Sequence, residues 1–198
     1  MKICISTLYN NDFKDVAAIT LPVMHEYCLR HGYSFHARRS DKDSPAIIWE
    51  RVDCVMAAMG SHDLVVQMDA DVLITNLTKG IPDRFDIGFS PVVVGSDVNG
   101  INDGVCIWNN SSEAALILGI LASCKPEMGT CPQDMLRAFD GVLVYNQRAM
   151  NSYLAGEYGN EPNDQTDWQL GDFVLHLPGR SNERRIKILK EIEPLIAR

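Results

Sequence analysis

The chain reads as an α/β protein built on a parallel sheet, and three observations carry that reading. Over residues 2–69, short apolar runs alternate with longer stretches of helical period. The run "DLVVQMD" (63–69) is apolar at successive positions, as a strand covered on both faces requires. No repeat, linker or low-complexity segment interrupts the pattern, so the 198 residues are expected to share a single core.

Each element follows from local signals. "KICISTL" (2–8) is a short strand that breaks into the turn "YNND". A helix follows, with apolar residues at 16, 19, 23, 24, 27 and 28, Asp12 as N-cap and Gly32 as its stop. Pro22 inside it predicts a kink or break. "YSFHARR" is a second strand, "AIIWERVDCVMAAMG" a helix closed by Gly60, and "DLVVQMD" the third strand. Strand, helix, strand, helix, strand is the order of a parallel sheet with helical crossovers.

The pattern changes from residue 77. "IPDRFDIGFSPVVVG" and "GVCIWNN" read as strands around two turn signals, Asn99-Gly100 and Asp103-Gly104. Helices are expected over 111–124, capped by Ser111 or Ser112, and over 132–139. "GVLVYN" and "FVLHLPG" are late strands, and "SNERRIKILKEIEPLIAR" is an amphipathic helix with Ile186, Leu189, Ile192 and Ile196 on one side. The expected organisation is one domain with two unequal parts, 1–76 and 77–180, and a closing helix over 181–198.

Composition narrows the function classes. A net charge of −8 argues against a nucleic-acid binder or a protein drawn to anionic membranes. A small anionic ligand stays open, provided that a cation holds it. The six cysteines show no CxxC spacing, and several lie in apolar runs, so reduced thiols are expected. No stretch approaches the ~20 apolar residues of a membrane span, and the N-terminus is too polar for a signal peptide. The expected location is cytoplasmic.

The stretch "DLVVQMDADVLITN" (63–76) places Asp69 and Asp71 at the mouth of the third strand. Open parallel sheets bind ligands outside the carboxyl ends of their strands, and residues i and i+2 of an extended segment face the same way. Two close carboxylates repel, and burying either is costly unless a cation offsets the charge. Paired carboxylates form a hard-oxygen site for Mg²⁺ or Mn²⁺. His176 also ends an apolar strand and is a candidate third ligand, which tilts the choice towards Mn²⁺.

Several segments, in order, resemble the glycosyltransferases of the GT-A fold. They are "HGY" (31–33), "IIWERVDCVMAAMGSHDLVVQMDADVLITN" (47–76), "INDGVCIWNNS" (101–111) and "GDFVLHLPG" (171–179). The likeness is greatest to the yeast α-1,2-galactosyl/α-1,6-mannosyltransferase family, which also holds plant xyloglucan xylosyltransferases. The resemblance implies a Rossmann-like nucleotide-diphospho-sugar transferase fold with a mixed central sheet flanked by helices. It implies Asp69, Asp71 and His176 as ligands of Mn²⁺ or Mg²⁺, with Asp69 shared with the ribose. Thr7, Tyr9 and Asn10 would line the nucleotide pocket, Arg51 would reach the donor, and Asn102 and Gly104 would line the sugar pocket.

Two departures from the family pattern stand out. Its acidic-then-Gln order before the acceptor-side helix is reversed as Gln133-Asp134, so either residue could face the anomeric carbon. Its phosphate-clamping lysine is absent; Arg180, Arg184 and Arg185 are the nearby cations, and Arg180 or Arg184 would hold the diphosphate.

The activity implied is transfer of a hexose or pentose from a nucleoside-diphosphate sugar, UDP favoured, to a glycan or other hydroxyl acceptor. Retention of configuration is implied too. Asp71→Ala is expected to abolish transfer and leave the fold intact, since it removes a repulsion. A non-catalytic sugar-binding module is the main alternative. A haloacid-dehalogenase-type phosphatase fits poorly, because two strands precede the DxD and Leu73 follows it at +2.

Overall fold

A computed structural model describes residues 1–43, 46–97, 100–124, 131–154 and 167–196. Its elements, in chain order, begin with β1 (Ile3–Tyr9), α1 (Lys14–His31), β2 (Ser34–Arg39), α2 (Ala46–Met59), β3 (Leu64–Asp69) and β4 (Val72–Ile74). There follow α3 (Ile81–Arg84), β5 (Val92–Asp97), β6 (Gly100–Asn109), α4 (Ser112–Ser123) and α5 (Pro132–Leu136). The last are β7 (Val142–Tyr145), α6 (Gln147–Met150), β8 (Val174–His176) and α7 (Asn182–Ile192), ending in a 3₁₀ turn over Glu193–Leu195.

Six strands form one sheet in the order β2-β1-β3-β6-β5-β7. β1 runs parallel to β2 and β3, β6 is antiparallel to β3 and β5, and β7 is parallel to β5. The sheet is therefore mixed, with helices on both faces. Adjacent residues of β3 enter different cores: Val66 packs with Ile5, Met24, Leu73 and Leu189, and Val65 with Cys4, Val55, Trp108 and Leu118. Val65 and Val66 are both fully buried, each favouring the fold by about 1.5–3 kcal/mol. That is why the run shows no polar alternation.

The structure corrects several expectations. α1 runs unbroken through Pro22. A proline in a helix interior costs about 3 kcal/mol. The buried Val16, Val23, Met24 and Tyr27 outweigh that, at about 1.5–3 kcal/mol each. Asp12 does not cap α1: Phe13 holds that position, and Asn10 Oδ1 accepts its N–H at 3.3 Å. Residues 81–84 form α3, where proline in the first turn pre-sets a helical φ, so the strand begins only at Val92.

Asp103-Gly104 is no turn but part of β6, and α5 ends at Leu136 rather than 139. Asn99 of the other turn signal lies outside the described residues, as do 197–198 of the terminal helix. The inner face of α7 is formed by Arg185, Ile188 and Leu189. Ser111 caps α4 by accepting the Ala114 N–H, and all six cysteines are free thiols. Among the described residues, no helix is long and apolar enough to cross a membrane.

Candidate metal centre

Strand pairing assembles the site. β3 ends at Asp69, and the Thr20 hydroxyl of α1 donates to the Ala70 carbonyl at 2.7 Å, fixing the bend between the two aspartates. β4 then pairs antiparallel with β8, which sets His176 opposite Val72, one residue beyond Asp71. One ligand atom from each of Asp69, Asp71 and His176 lies within 4.8 Å of the others.

Each of the three is gripped by a partner of its own. Asp71 Oδ2 accepts from Arg185 Nε at 2.8 Å, while its Oδ1 faces His176 Nε2 at 3.3 Å. Asp69 Oδ1 accepts from Arg51 Nη1, and Arg51 Nη2 reaches across to Asp103 Oδ2 at 3.0 Å. His176 Nδ1 lies 2.7 Å from Asn151 Oδ1. Arg185 is held by other acceptors as well: Nε also donates to Leu177 O, and Nη1 to Arg180 O and Asn182 Oδ1. Its guanidinium stands 4.8 Å over the Phe13 ring.

These partners separate the two aspartates electrostatically. Burial works against charge on Asp71, but His176 and Arg185 outweigh it and hold its carboxyl below the usual range. Burial raises Asp69; Arg51 opposes that, yet Asp71 and Asp103 add to it, and the net shift is upward. Burial also disfavours the Arg51 charge, and Asp103 and Asp69 reverse this to raise its pKa.

The centre opens into a cavity of about 380 Å³ at the carboxyl ends of β1 and β3. Tyr9, Asn10, Arg51, Asp69 and Asp71 line it, as do Asn102, Gln133 and His176. The other candidates are placed differently. Thr7 is buried outside the lining, with its hydroxyl unpaired. Asp134 stays outside, half exposed, and pairs with Arg137 at 3.3 Å. Arg184 is exposed, and neither it nor Arg180 borders the cavity, whereas Arg185 does. Gly104 leaves room for the His176 ring: a Cβ there would collide with Cε1.

Sequence reasoning missed three residues. Asp103 stands on β6 rather than in a turn, and its place beside Asn102 is the signal the sequence holds. Between Val94 and Gly95 the register on β6 jumps from Cys106 to Asn102, so Asp103 escapes pairing with β5 and turns to Arg51. Arg185 stood among three cations without anything to single it out, and Asn151 carried no local signal.

The donor set fits a divalent ion. The free edges of the three ligands are Asp71 Oδ1, Asp69 and His176 Nε2, two hard oxygens and an imidazole. A second group, Cys4, His36 and His62, also lies within 4.8 Å. There both His62 nitrogens are engaged, by Ala58 O and Ser34 Oγ, and burial pushes the Cys4 thiol up to about 11. His62 is thereby committed to structural hydrogen bonds.

Among solved structures, a glycosyltransferase involved in glycosylation of the major capsid of PBCV-1 superposes with a TM-score of 0.75. It is 20% identical and covers 96% of this chain and 100% of its own. The galactosyltransferase LgtC, in complex with donor and acceptor sugar analogs, gives 0.60 at 13% identity, over 98% of this chain and 96% of its own.

The chain has the GT-A fold. GlyE of Streptococcus pneumoniae TIGR4 shares it, with a TM-score of 0.63 at 12% identity, over 97% of this chain and 60% of its own. By sequence, a probable α-1,2-galactosyltransferase, gmh2 of Schizosaccharomyces pombe, is 23% identical over 81% of the chain. The aligned part spans 59% of that relative. No protein-family model matches the chain.

Proposed function

We propose that the chain is a metal-dependent glycosyltransferase that moves a hexose or pentose from a nucleoside-diphosphate sugar, UDP favoured, to a hydroxyl acceptor with retention. The observation that carries this reading is the convergence of Asp69, Asp71 and His176 in the lining of a cavity at the carboxyl end of a GT-A sheet. The first two would hold Mn²⁺ or Mg²⁺ through oxygen and His176 through Nε2. Once bound, the ion supplies Lewis-acid stabilisation of negative charge on the leaving diphosphate.

The chain's own residues do the rest. Tyr9 and Asn10 border the nucleotide side, and Asn10 is braced by its bond to Lys42 O at 3.3 Å. Arg51 holds Asp69 and Asp103 and stands ready to meet the donor's anionic groups. Asn102 and Gln133 border the sugar side, with Gln133 Oε1 accepting the Asp103 N–H at 3.3 Å. Of the reversed pair, Gln133 is therefore the residue we assign to the reacting sugar. Arg180 and Arg184 are assigned to the donor phosphates only if they turn inward when donor binds. In a retaining transfer the acceptor hydroxyl attacks from the leaving-group face, and the departing phosphate oxygen takes its proton. No carboxylate base is then required.

Calorimetric titration of UDP and GDP, with and without Mn²⁺, tests this reading. Mn²⁺-dependent binding of one nucleotide, followed by release or transfer of sugar from its donor, is the expected outcome. Binding of neither nucleotide in the presence of Mn²⁺ would overturn it.

A further inference from the structure

The third ligand is oriented by a chain of amides whose polarity starts at the backbone. The Gly104 N–H can only donate, and it donates to Asn102 Oδ1 at 2.8 Å. That oxygen also lies 2.6 Å from Asn151, so the facing atom of Asn151 must be its Nδ2 donor. The other end of Asn151 is then its oxygen, and this faces His176 Nδ1 at 2.7 Å. An acceptor at that distance requires a proton on Nδ1. One backbone amide thus dictates, through two asparagines, which nitrogen of His176 carries hydrogen.

We propose that Asn151 is a positioning residue of the metal centre, which locks His176 as the Nδ1–H imidazole and presents Nε2 to the ion. The inference rests on the metal reading above. Metal-binding histidines characteristically donate their second N–H to such a partner, and loss of the partner costs about 10–100-fold in metal affinity.

The surroundings are shaped for this contact. Asn151 is fully buried, and its Cβ lies 2.8 Å from where a Cβ on Gly95 would stand. Gly104 makes the matching space beneath the His176 ring. Both glycines flank the register jump between β5 and β6, so the irregularity in the sheet makes a seat for the His176–Asn151 pair. Ser152 ties the same segment to β8: its carbonyl accepts the His176 N–H at 2.8 Å. Asn151 does not line the cavity and reaches it through two residues that do, His176 and Asn102; metal affinity reads the His176 route.

The test is a double-mutant cycle on Mn²⁺ affinity, read from the free-ion EPR signal, with Mg²⁺ affinity read by its competition against Mn²⁺. Asn151→Ala is expected to weaken Mn²⁺ binding about 10–100-fold, and Mg²⁺ binding less, because the imidazole is the ligand that favours Mn²⁺. In a His176→Ala background the same change is expected to cost nothing further. An equal loss for both ions, an undiminished loss without His176, or no loss at all would overturn the role of Asn151. Wild-type protein that binds no Mn²⁺ would instead overturn the metal reading itself.

Asn151→Leu keeps the branched four-atom side chain without its polar atoms, should the alanine variant fail to fold. If both fail, long-range ¹H–¹⁵N NMR of the Mg²⁺-loaded wild type decides. A proton on Nδ1 supports the proposal, and a proton on Nε2 refutes it.

Discussion

Asn substitutions at the two aspartates are expected to move stability in different directions when no metal is present. Asp71 is 6% exposed and supplies the carboxylate that faces Arg185, itself 8% exposed. Removing one member of a buried ion pair costs about 3–5 kcal/mol, because the other charge stays behind unpaired. Arg185 keeps acceptors at Leu177, Arg180 and Asn182, so the lower end, about 3 kcal/mol, applies. At about 2–4 °C per kcal/mol for a chain of this size, Asp71→Asn should melt about 6–12 °C lower.

Asp69 differs on each count. It is 29% exposed, and Arg51 retains Asp103 if Asp69 is lost. The pKa directions agree in sign. A depressed carboxyl stabilises the fold above its unfolded value and loses that contribution as pH falls through the folded value, which is the case of Asp71. A raised carboxyl does the reverse, so charged Asp69 opposes folding at neutral pH and Asp69→Asn should melt at or above wild type. Thermal denaturation in EDTA at pH 7.5 measures both. Equal melting of Asp71→Asn and wild type, or an equal loss at Asp69, would refute the reasoning. The expectation that Asp71 could be removed without harm to the fold took only the repulsion into account; the arginine reverses it.

Three further outcomes are expected. Gly104→Ala drives a methyl into the His176 ring, where its Cβ would stand 2.8 Å from Nδ1, and should cost about 1–3 kcal/mol by thermal melting and weaken Mn²⁺ binding. Asp134→Ala should leave sugar transfer within about twofold of wild type, since its carboxylate pairs with Arg137 outside the cavity, while Gln133→Ala lowers kcat by about 10²-fold. A thiol reagent should modify Cys54, Cys124 and Cys131 in the native protein, and Cys4, Cys28 and Cys106 only on unfolding, because burial both hides these three and raises their pKa values.

What the sequence made legible was what local chemistry decides. The first three strands and two helices, and the Gly32 stop at φ 67°, follow from period and backbone preference. "HGY" was legible only as likeness; its work is structural, with His31 bonded to Leu77 O and Tyr33 accepting the Ile81 N–H. What stayed hidden is fixed between distant segments. The β4–β8 pair joins residues a hundred positions apart, and each strand has only three residues, too few for a period. Arg185 and Asn151 act through partners that only the fold supplies. The acidic-then-Gln order sought at 133–134 does occur in the sequence at Asp164-Gln165, inside the 155–166 segment that lies outside the described residues.

The question raised by two neighbouring aspartates has an answer in charge. Asp69, Asp71 and Asp103 face Arg51 and Arg185, three carboxylates against two guanidinium groups, which leaves one net negative charge. That balance lets the pair be partly buried without an ion, so the fold does not wait on metal. It also sets the sequence of binding. With one negative charge the cavity repels a free diphosphate, whereas a divalent ion inverts the local sign to one positive charge and attracts it. On this arrangement Mn²⁺ should bind before the nucleotide, and nucleotide affinity should rise steeply with Mn²⁺ while Mn²⁺ affinity rises by the same factor when nucleotide is present. A nucleotide that binds equally well with and without the ion would show that the arginines, not the metal, hold the phosphates.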